Sequence, residues 1–503
     1  MTTTDIPPVM KQGSYLGWVR LLLVCLASFT DIANLGMCNI ALPSIAQDLN
    51  LGPGELQWVL TAYALTFGGF LLVGGRLGSI FGIRRVFKVG LFLFMAFSIL
   101  CAAVKQPVAF LVGRALQGIA AALTIPTGQA SLKSFFPSPD QHHISLAVWG
   151  ASGATGFVLG PIIGGLFEGT QGWRWIFWFT TILTGALFVI SLFLLRTPQE
   201  DKVVFKKSAV EQFRTLDAFG CLLSLAGFVL LTYALTSGES EGWGSPAIIS
   251  TLILSVVLIL FFVLVEWKVS KNPLIPRAVI RRGNAATGCA LGAFTYAVWQ
   301  GINYILTLEL QDFGFTALET AVRFLPLGGV ALATNFVAPF IIKRTGARPV
   351  FIAGWVVTIV GVVLLSVMSS KDEYAKYCIP GMILFMAGVN SVFYAANVEV
   401  IGGAPADDQA TIAGIFNMSL QMGGSVLGFA IVTLVRTAVE DNAGGSESAR
   451  ARLKGYRAGH YTILAMSGTA AALSALLVSS SKATQASEVQ ESENEGESVS
   501  TKV

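Results

Sequence analysis

Charged side chains are scarce in this 503-residue chain. Only 12% of its residues are Asp, Glu, Lys or Arg, whereas 54% are hydrophobic. Soluble domains carry about 25% charged residues, so a chain of this length could not cover a water-facing surface with so few. The scarcity excludes a soluble enzyme, a nucleic-acid-binding protein, a disordered scaffold and a fibre. The net charge of +4 is too small to indicate an acidic partner.

Residues that bind metals or nucleotides are also few. The three histidines, His142, His143 and His460, do not share a metal-binding spacing with a carboxylate. The six cysteines lie in or beside apolar segments without a C-x-x-C pair, which favours small buried side chains. There is no G-x-x-x-x-G-K-[ST] loop. We therefore expect no metal, no cofactor and no enzymatic activity.

The chain is rich in long apolar runs and contains 53 glycines, and its mean hydropathy is +0.68. A helix needs about 20 apolar residues to cross a bilayer, and fourteen segments qualify. They lie near 18–40, 57–80, 86–104, 108–131, 145–167, 175–195, 218–236, 247–267, 287–309, 320–342, 349–369, 378–400, 411–436 and 460–480. The first is too long for a cleavable signal peptide. The sequence predicts an all-α polytopic membrane protein.

Lys and Arg cluster in the loops after the second, sixth, eighth and tenth spans, which predicts that both termini are cytoplasmic. The basic segment 450–457, before the last span, breaks this pattern. We divide the chain into a cytoplasmic N-terminal segment (1–16), a six-helix bundle (17–195), a basic loop and two inserted spans with the following loop (196–283), a second six-helix bundle (284–480) and a disordered acidic tail (481–503).

The two bundles share a short repeat. Residues 82–90, GIRRVFKVG, recur as residues 346–354, GARPVFIAG, with five of nine positions identical. Both copies join a span to the next across a basic turn on the same predicted side. The halves are therefore expected to be parallel repeats, an arrangement that suits alternating access around a central site.

The fifth span carries the pattern G-x-x-x-G-P-x-x-G-G at Gly156, Gly160, Pro161, Gly164 and Gly165. Small residues allow helices to cross closely, and the proline bends the helix. The pattern resembles the antiporter signature of drug:proton antiporters of the major facilitator superfamily. This resemblance implies two six-helix bundles with two further spans inserted between them.

The fourth span contains R-x-x-Q-G at Arg114, Gln117 and Gly118 and resembles a second motif of that superfamily. An arginine inside a span is costly unless it is paired or hydrated, so Arg114 is a functional candidate. In the family this arginine assists proton transfer, and the resemblance implies the same role here.

The turn after the second span also resembles a superfamily motif, the gating turn, but lacks its aspartate. The candidate gating residues are Gly75, Ser79, Gly82, Arg84 and Arg85, with Ser79 standing at the aspartate position. A serine can accept a hydrogen bond but cannot form the charged latch of the family, so we expect no charged latch here.

Residues 39–43, Asn-Ile-Ala-Leu-Pro, look like the end of the first span in fourteen-span antiporters, similar to the fungal aminotriazole-resistance type. The family's aspartate falls at Asn34 here, and Asp31 lies about one helical turn earlier. We take Asp31, Arg114 and Arg323 as ionisable residues inside spans. We expect Asp31 to carry the coupling proton and Arg114 to tune it. Glu266, Glu309 and Glu399 are interpreted as interfacial.

Polar and aromatic residues within the spans are candidates to face a substrate cavity. They are Asn34, Gln117, Trp299, Gln300, Asn303, Tyr304, Asn390, Tyr394, Asn417 and Gln421. For each, hydrogen bonding between helices is an alternative role.

The resemblance implies a secondary transporter that exports drugs, toxins or secondary metabolites in exchange for protons. We expect a monomer in a lipid bilayer whose partners are a small-molecule substrate and the coupling proton. The plasma membrane is the expected location, with the vacuolar membrane as the alternative. Two other functions stay open, namely proton-independent or inward movement of a solute such as borate or ammonium, and a membrane sensor that signals through the acidic tail.

Overall fold

A computed structural model describes residues 13–51, 58–195, 217–268, 270, 285–315, 317–402, 409–445 and 448–478. These residues are helical and contain no strand. The fourteen long helices are α1 Gly13–Ile40, α2 Trp58–Phe81, α3 Ile83–Ala103, α4 Pro107–Phe135, α5 Pro139–Thr170, α6 Arg174–Leu194, α7 Ala218–Glu241, α8 Pro246–Lys268, α9 Ala285–Asp312, α10 Leu325–Thr345, α11 Ala347–Val367, α12 Lys371–Ile401, α13 Gln409–Asn442 and α14 Ala449–Leu477.

The helices follow the order of the predicted spans. Twelve of those described are long and apolar enough to cross a membrane. The apolar part of α7 is shorter, Phe219–Leu235, and α9 carries many polar side chains along its 28 residues. The all-α fold is confirmed, while a crossing by all fourteen helices stays a prediction. Most of the predicted N-terminal segment, the basic loop and the acidic tail lie outside the described residues.

The prediction that Arg323 lies inside the tenth span is wrong. A short helix, Ala317–Arg323, ends before α10 begins at Leu325. Pro326 lies in the first turn of α10. The backbone N–H groups of a first turn have no partner within the helix, so a proline there costs no hydrogen bond. The Arg323 guanidinium instead lies 3.6 Å from the centroid of the Phe315 ring, and its cation is stabilised by that aromatic face.

The basic segment before the last span is part of a helix. The last helix, α14, begins at Ala449, so residues 450–457 form its first turns rather than a loop. Arg452 forms an ion pair with Asp312 at the end of α9, with 2.8 Å between Nη2 and Oδ1. Arg457 donates a hydrogen bond to Ser369. Because Arg452 and Arg457 have partners within the protein, the segment can carry positive charges on the side where the loop-charge pattern predicts few.

The repeat predicted from the sequence has the same conformation in both halves. Gly82 and Gly346 form the turns α2–α3 and α10–α11 with φ of 95° and 80°, a region that favours glycine. Eight residues later, Gly90 packs on α4 and Gly354 packs on α12, each too close for a larger side chain. We call the end of the bundle with these two turns the basic end, and the opposite end the far end.

The two inserted helices pack against the first bundle and each other. Gly69 of α2 contacts Val229 of α7, and Gly227 of α7 contacts Ile259 of α8. At the far end, the ring of Trp58 stacks on that of Tyr233, with 5.6 Å between their centroids. The insertion therefore lies beside the six-helix bundles and leaves their internal order intact.

Replacing Gly346 with Ala tests the repeated turn. A Cβ in this positive-φ conformation costs about 1–2 kcal/mol, so we expect a lower apparent melting temperature of the purified protein. The control is Gly329→Ala in α10, where a Cβ would meet no atom within 4 Å. That change should be neutral or stabilising by up to about 1 kcal/mol. Equal melting temperatures for the two variants would contradict the assigned turn.

Candidate functional site

Arg114 is the most deeply buried charge of the first half, with 0% of its surface exposed. Its Nε donates to the carbonyl oxygen of Val59 at 2.9 Å. Its Nη1 donates to Asn34 Oδ1 at 2.6 Å and to Gln117 Oε1 at 2.8 Å. The cation on α4 is thus held by oxygens from α1, α2 and α4 rather than by a carboxylate.

The two amides that hold Arg114 are fixed by hydroxyl groups on further helices. Asn34 donates to Thr180 Oγ1 of α6 at 3.2 Å, and Gln117 donates to Ser98 Oγ of α3 at 2.8 Å. Both amides are 0% exposed. They belong to the Arg114 network, and the structure does not place them in the cavity where the sequence analysis expected them.

Asp31 joins this network through an aromatic ring. The Tyr63 hydroxyl on α2 donates to Asp31 Oδ1, and the Arg114 guanidinium lies 4.7 Å from the centroid of the Tyr63 ring. Among the described residues, Asp31 and Arg114 form no direct ion pair. Tyr63 was missed by the sequence analysis, although a tyrosine within a span was an available signal.

The antiporter motif of α5 packs on the helix that carries Asp31. Built at Gly156, Gly160 or Gly164, a Cβ would lie only 2.6–2.8 Å from backbone atoms of Phe29, Ala33 or Met37. The Pro161 ring fills the space that a side chain at Gly36 would need, and Gly165 makes only ordinary contact with Ile40. The motif therefore sets the position of α1 through a face next to the one that contacts Arg114.

Hydrogen bonds join the two halves at the basic end. Ser79 Oγ of α2 lies 2.8 Å from Thr411 Oγ1 of α13. Gln129 of α4 donates to Asn397 Oδ1 and accepts from Asn417 Nδ2, both at 2.7 Å. We call these five residues the latch. Its five side chains are uncharged, and the role of Ser79 in gating stays a prediction.

Other contacts extend the latch along the basic end. Tyr394 donates to the His143 carbonyl oxygen at 2.8 Å, and Lys343 pairs with Asp140 at 2.6 Å. Of the remaining gating residues, Gly75 packs on Ala410 and Gly414. Arg84 donates to Ser134 within the first half, and Arg85 beside it is half-buried.

A cavity of about 260 Å³ lies towards the far end, between α9 and α13. It is lined by Gln300, Asn303, Tyr304, Thr307, Leu308 and Phe429. Three of the predicted cavity residues, Gln300, Asn303 and Tyr304, meet here. Tyr304 packs edge-on against Phe429, with 4.9 Å between the ring centroids. The lining offers amide, hydroxyl and aromatic groups together.

The other predicted cavity residues lie elsewhere. Asn390 donates to the Ala331 carbonyl oxygen, and Tyr394 and Asn417 belong to the contacts between the halves. Trp299 lies near the cavity and packs on Tyr296 and on Phe157 of α5, while Gln421 is half-buried without a hydrogen bond to a described residue. Asn390, Tyr394 and Asn417 therefore form hydrogen bonds to neighbouring helices instead of lining the cavity.

Glu309 is buried within the protein, and its position at the membrane interface stays a prediction. Its side chain is 1% exposed and lies 3.1 Å from Nε2 of His460, which is 0% exposed. Glu266 is also buried, at 4% exposed, whereas Glu399 is half-buried. Distance from a span end along the sequence did not predict burial, because α9 and α14 extend beyond the apolar segments.

A profile of the Major Facilitator Superfamily matches residues 24–428. The chain belongs to this superfamily. Its relatives include a puromycin resistance protein of Streptomyces alboniger, 31% identical, with 84% of this chain and 82% of the relative aligned. The multidrug transporter mfsC of Aspergillus fumigatus is 30% identical over 81% of this chain and 77% of its own. The efflux pump terJ of Aspergillus terreus is 27% identical over 88% and 84%.

Solved structures agree on the fold of this superfamily member. The human organic anion transporter MFSD10 matches 91% of this chain and 99% of its own with a TM-score of 0.63 and 16% identity. The proton:xylose symporter XylE matches 92% and 95% with a TM-score of 0.62 and 15% identity. At these identities the likeness shows the fold.

Replacing Gly160 with Ala tests how the motif of this superfamily member holds α1. The new methyl group would meet Ala33, and overpacking of this kind costs about 1–3 kcal/mol. We expect a lower melting temperature and a loss of transport activity, since α1 carries Asn34 and Asp31. Gly169→Ala, on the same helix with no atom within 4 Å of the new Cβ, is the control. Equal behaviour of the two variants would contradict the close contact.

Proposed function

We propose that this transporter exports small organic molecules in exchange for protons by alternating access. The observation that carries the proposal is the buried Asp31, which is 6% exposed, accepts from Tyr63 and stands one ring away from Arg114. An ionisable residue inside the membrane is costly and is expected to have a function. A carboxyl group held by one hydroxyl can bind and release a proton without breaking an ion pair.

Asp31 lies close enough to the second half to interact with it electrostatically. Tyr296 of α9 lies within electrostatic reach of Asp31, and Tyr296 stacks near Trp299 with 5.1 Å between ring centroids. Trp299 and the cavity residues Gln300 and Asn303 follow one another along α9. A change of charge at Asp31 would therefore act electrostatically on α9, the helix that lines the cavity. Proton coupling requires a physical link of this kind.

The cavity favours amphipathic organic molecules. Its amide, hydroxyl and aromatic groups suit a ligand with both polar and apolar surface. Relatives are named for puromycin resistance, multidrug transport and efflux. We infer that drugs, toxins or secondary metabolites are the substrate class, and that no catalysis accompanies their movement.

The latch supports alternating access. A neutral hydrogen bond contributes only about 0.5–1.5 kcal/mol, so the few bonds at the basic end can open at a cost of a few kcal/mol. That cost is typical of the gap between two conformations that a ligand can shift. In this structure the latch is closed, and the cavity lies towards the far end.

Loop charges favour a cytoplasmic basic end, and hence cytoplasmic termini. We propose the plasma membrane as the location, with the vacuolar membrane as the alternative, and a monomer as the working unit. Movement of borate or ammonium without protons is the second candidate, because Asn34 and Ser79 replace the family's aspartates with neutral residues.

Proton movement in proteoliposomes under an imposed pH gradient tests the proposal. Puromycin is the first probe, followed by cationic drugs, neutral azoles, weak acids and borate. We expect a substrate to dissipate the gradient with the intact chain and at least tenfold less with Asp31→Asn, which cannot carry a proton. Asp48→Asn, an exposed carboxylate paired with Arg174 in the same half, is the control and should behave as the intact chain.

Two results would overturn the proposal. Solute flux without any proton movement would mean a uniporter. Full proton movement in Asp31→Asn would remove this residue from the coupling step.

A further inference from the structure

The second half contains a buried ionisable pair of its own. Glu309 of α9 and His460 of α14 are 1% and 0% exposed, and Oε2 and Nε2 are 3.1 Å apart. This pair lies apart from the Asp31 and Arg114 network, which is built from α1–α4 and α6. Two titratable groups inside one membrane bundle, on helices that touch each other, call for a functional explanation.

The pair is incompletely satisfied. His460 is the hydrogen-bond partner of Glu309 among the described residues, and His460 Nδ1 is buried without a partner. A buried ion pair is stable only when its remaining donors and acceptors are also bonded. An imidazole whose Nε2–H donates to the carboxylate leaves a lone pair on Nδ1, which is a vacant position for a proton.

The equivalent pair of helices in the first half is joined by a hydrogen bond between two uncharged side chains. The first and sixth helices of the repeat are α1 and α6 in one half, and α9 and α14 in the other. Asn34 donates to Thr180 between α1 and α6, and Glu309 contacts His460 between α9 and α14. The helix pair of the second half is thus joined by two groups that can change charge, whereas that of the first half is joined by an amide–hydroxyl bond.

The pair and the cavity lie on opposite faces of α9. Gln300, Tyr304 and Thr307 face the cavity. At about 100° per residue, Glu309 lies about 180° around the helix from Gln300. A change in the attraction between Glu309 and His460 would therefore shift α9 against α14 and reshape the cavity on its other face.

Neighbouring charges do not complete the pair. Cys378 on α12 lies within electrostatic reach of Glu309. Charged or titratable groups elsewhere on the helices of this bundle include Asp312 on α9, Arg436 and Glu440 on α13, and Arg452, Tyr456 and Arg457 on α14. On α11, the fourth helix of the group, the charged residue is Arg348 at the basic end. Asp312 binds Arg452, Glu440 binds Arg436, and Arg457 binds Ser369.

We propose that Glu309 and His460 form a second proton-binding site, in the half that holds the substrate cavity. The inference rests on the proposed function, because it assigns the site a part in proton-coupled transport. A proton from water binds the lone pair of His460 Nδ1, no bond within the protein breaks, and the charge of the pair changes from −1 to 0. The proton leaves from the same nitrogen when the bundle opens to the other side.

Nitrogen-15 NMR of the full chain in lipid bilayers, labelled at histidine, observes this proton directly. The chain has three histidines, so His460→Gln assigns the His460 signals. We expect the Nδ1 signal to change from bare to protonated as the pH is lowered. Glu309→Gln should move the midpoint of this change to lower pH, because the carboxylate that stabilises the imidazolium is removed.

Asp312→Asn is the matched control, since Asp312 joins the same two helices through Arg452 at a more exposed position. Its His460 midpoint should equal that of the intact chain. A His460 Nδ1 that keeps one form at every pH, or an equal shift in both variants, would overturn the proposal. This measurement needs no substrate, so it decides on the pair even if the transport assay finds no proton coupling.

Transport separates a proton site from a structural pair. In proteoliposomes, Glu309→Gln should lower puromycin accumulation driven by a pH gradient at least tenfold, while puromycin exchange at equal pH stays within twofold. Exchange requires the bundle to reorient but no net proton transfer. Equal loss of accumulation and exchange would show a purely structural role and overturn the proposal.

Discussion

Arg114 places a positive charge where the first half offers it no contact with water, and the rest of this half is arranged to accommodate it. Burial of an unpaired cation costs several kcal/mol. Here three carbonyl-type oxygens and the faces of Tyr63 and Phe177 take the place of a counter-ion. Each oxygen belongs to a different partner, so α1, α2 and α4 must keep their relative positions for these three bonds to persist, while Arg114 Nη2 is buried without a hydrogen-bond partner among the described residues.

The same constraint explains the small residues on α5. Asn34 joins the first helix to Arg114 by a hydrogen bond. Another face of this helix is contacted by Gly156, Gly160 and Gly164. A helix held on two faces keeps its buried groups in register with their partners. The glycine motif and the arginine motif, separate in sequence, therefore act on one helix, and Asp31 lies on that helix.

Hydropathy and glycine placement predicted the helices, their order and the repeated turns, because these depend on local sequence. The partners of single polar residues were not predictable in the same way. Asn34, Gln117 and Asn417 each had two roles open, and only the position of Arg114 or Gln129 across the bundle decided between them. The partner of Glu309 was not predictable for the same reason, since His460 is 151 residues away along the chain.

The two halves share a backbone plan but differ in their charges, and this asymmetry has a physical consequence. In the first half Arg114 is a fixed cation, because a guanidinium does not lose its proton in the cellular pH range, and the titratable Asp31 lies one ring away from it. In the second half the corresponding helices meet through groups that can gain or lose a proton. A fixed charge stabilises one arrangement, whereas a variable charge alters the balance between arrangements. The five latch residues are uncharged, so a change of pH acts on the interiors of the bundles and on the exposed Lys343–Asp140 pair rather than on the latch.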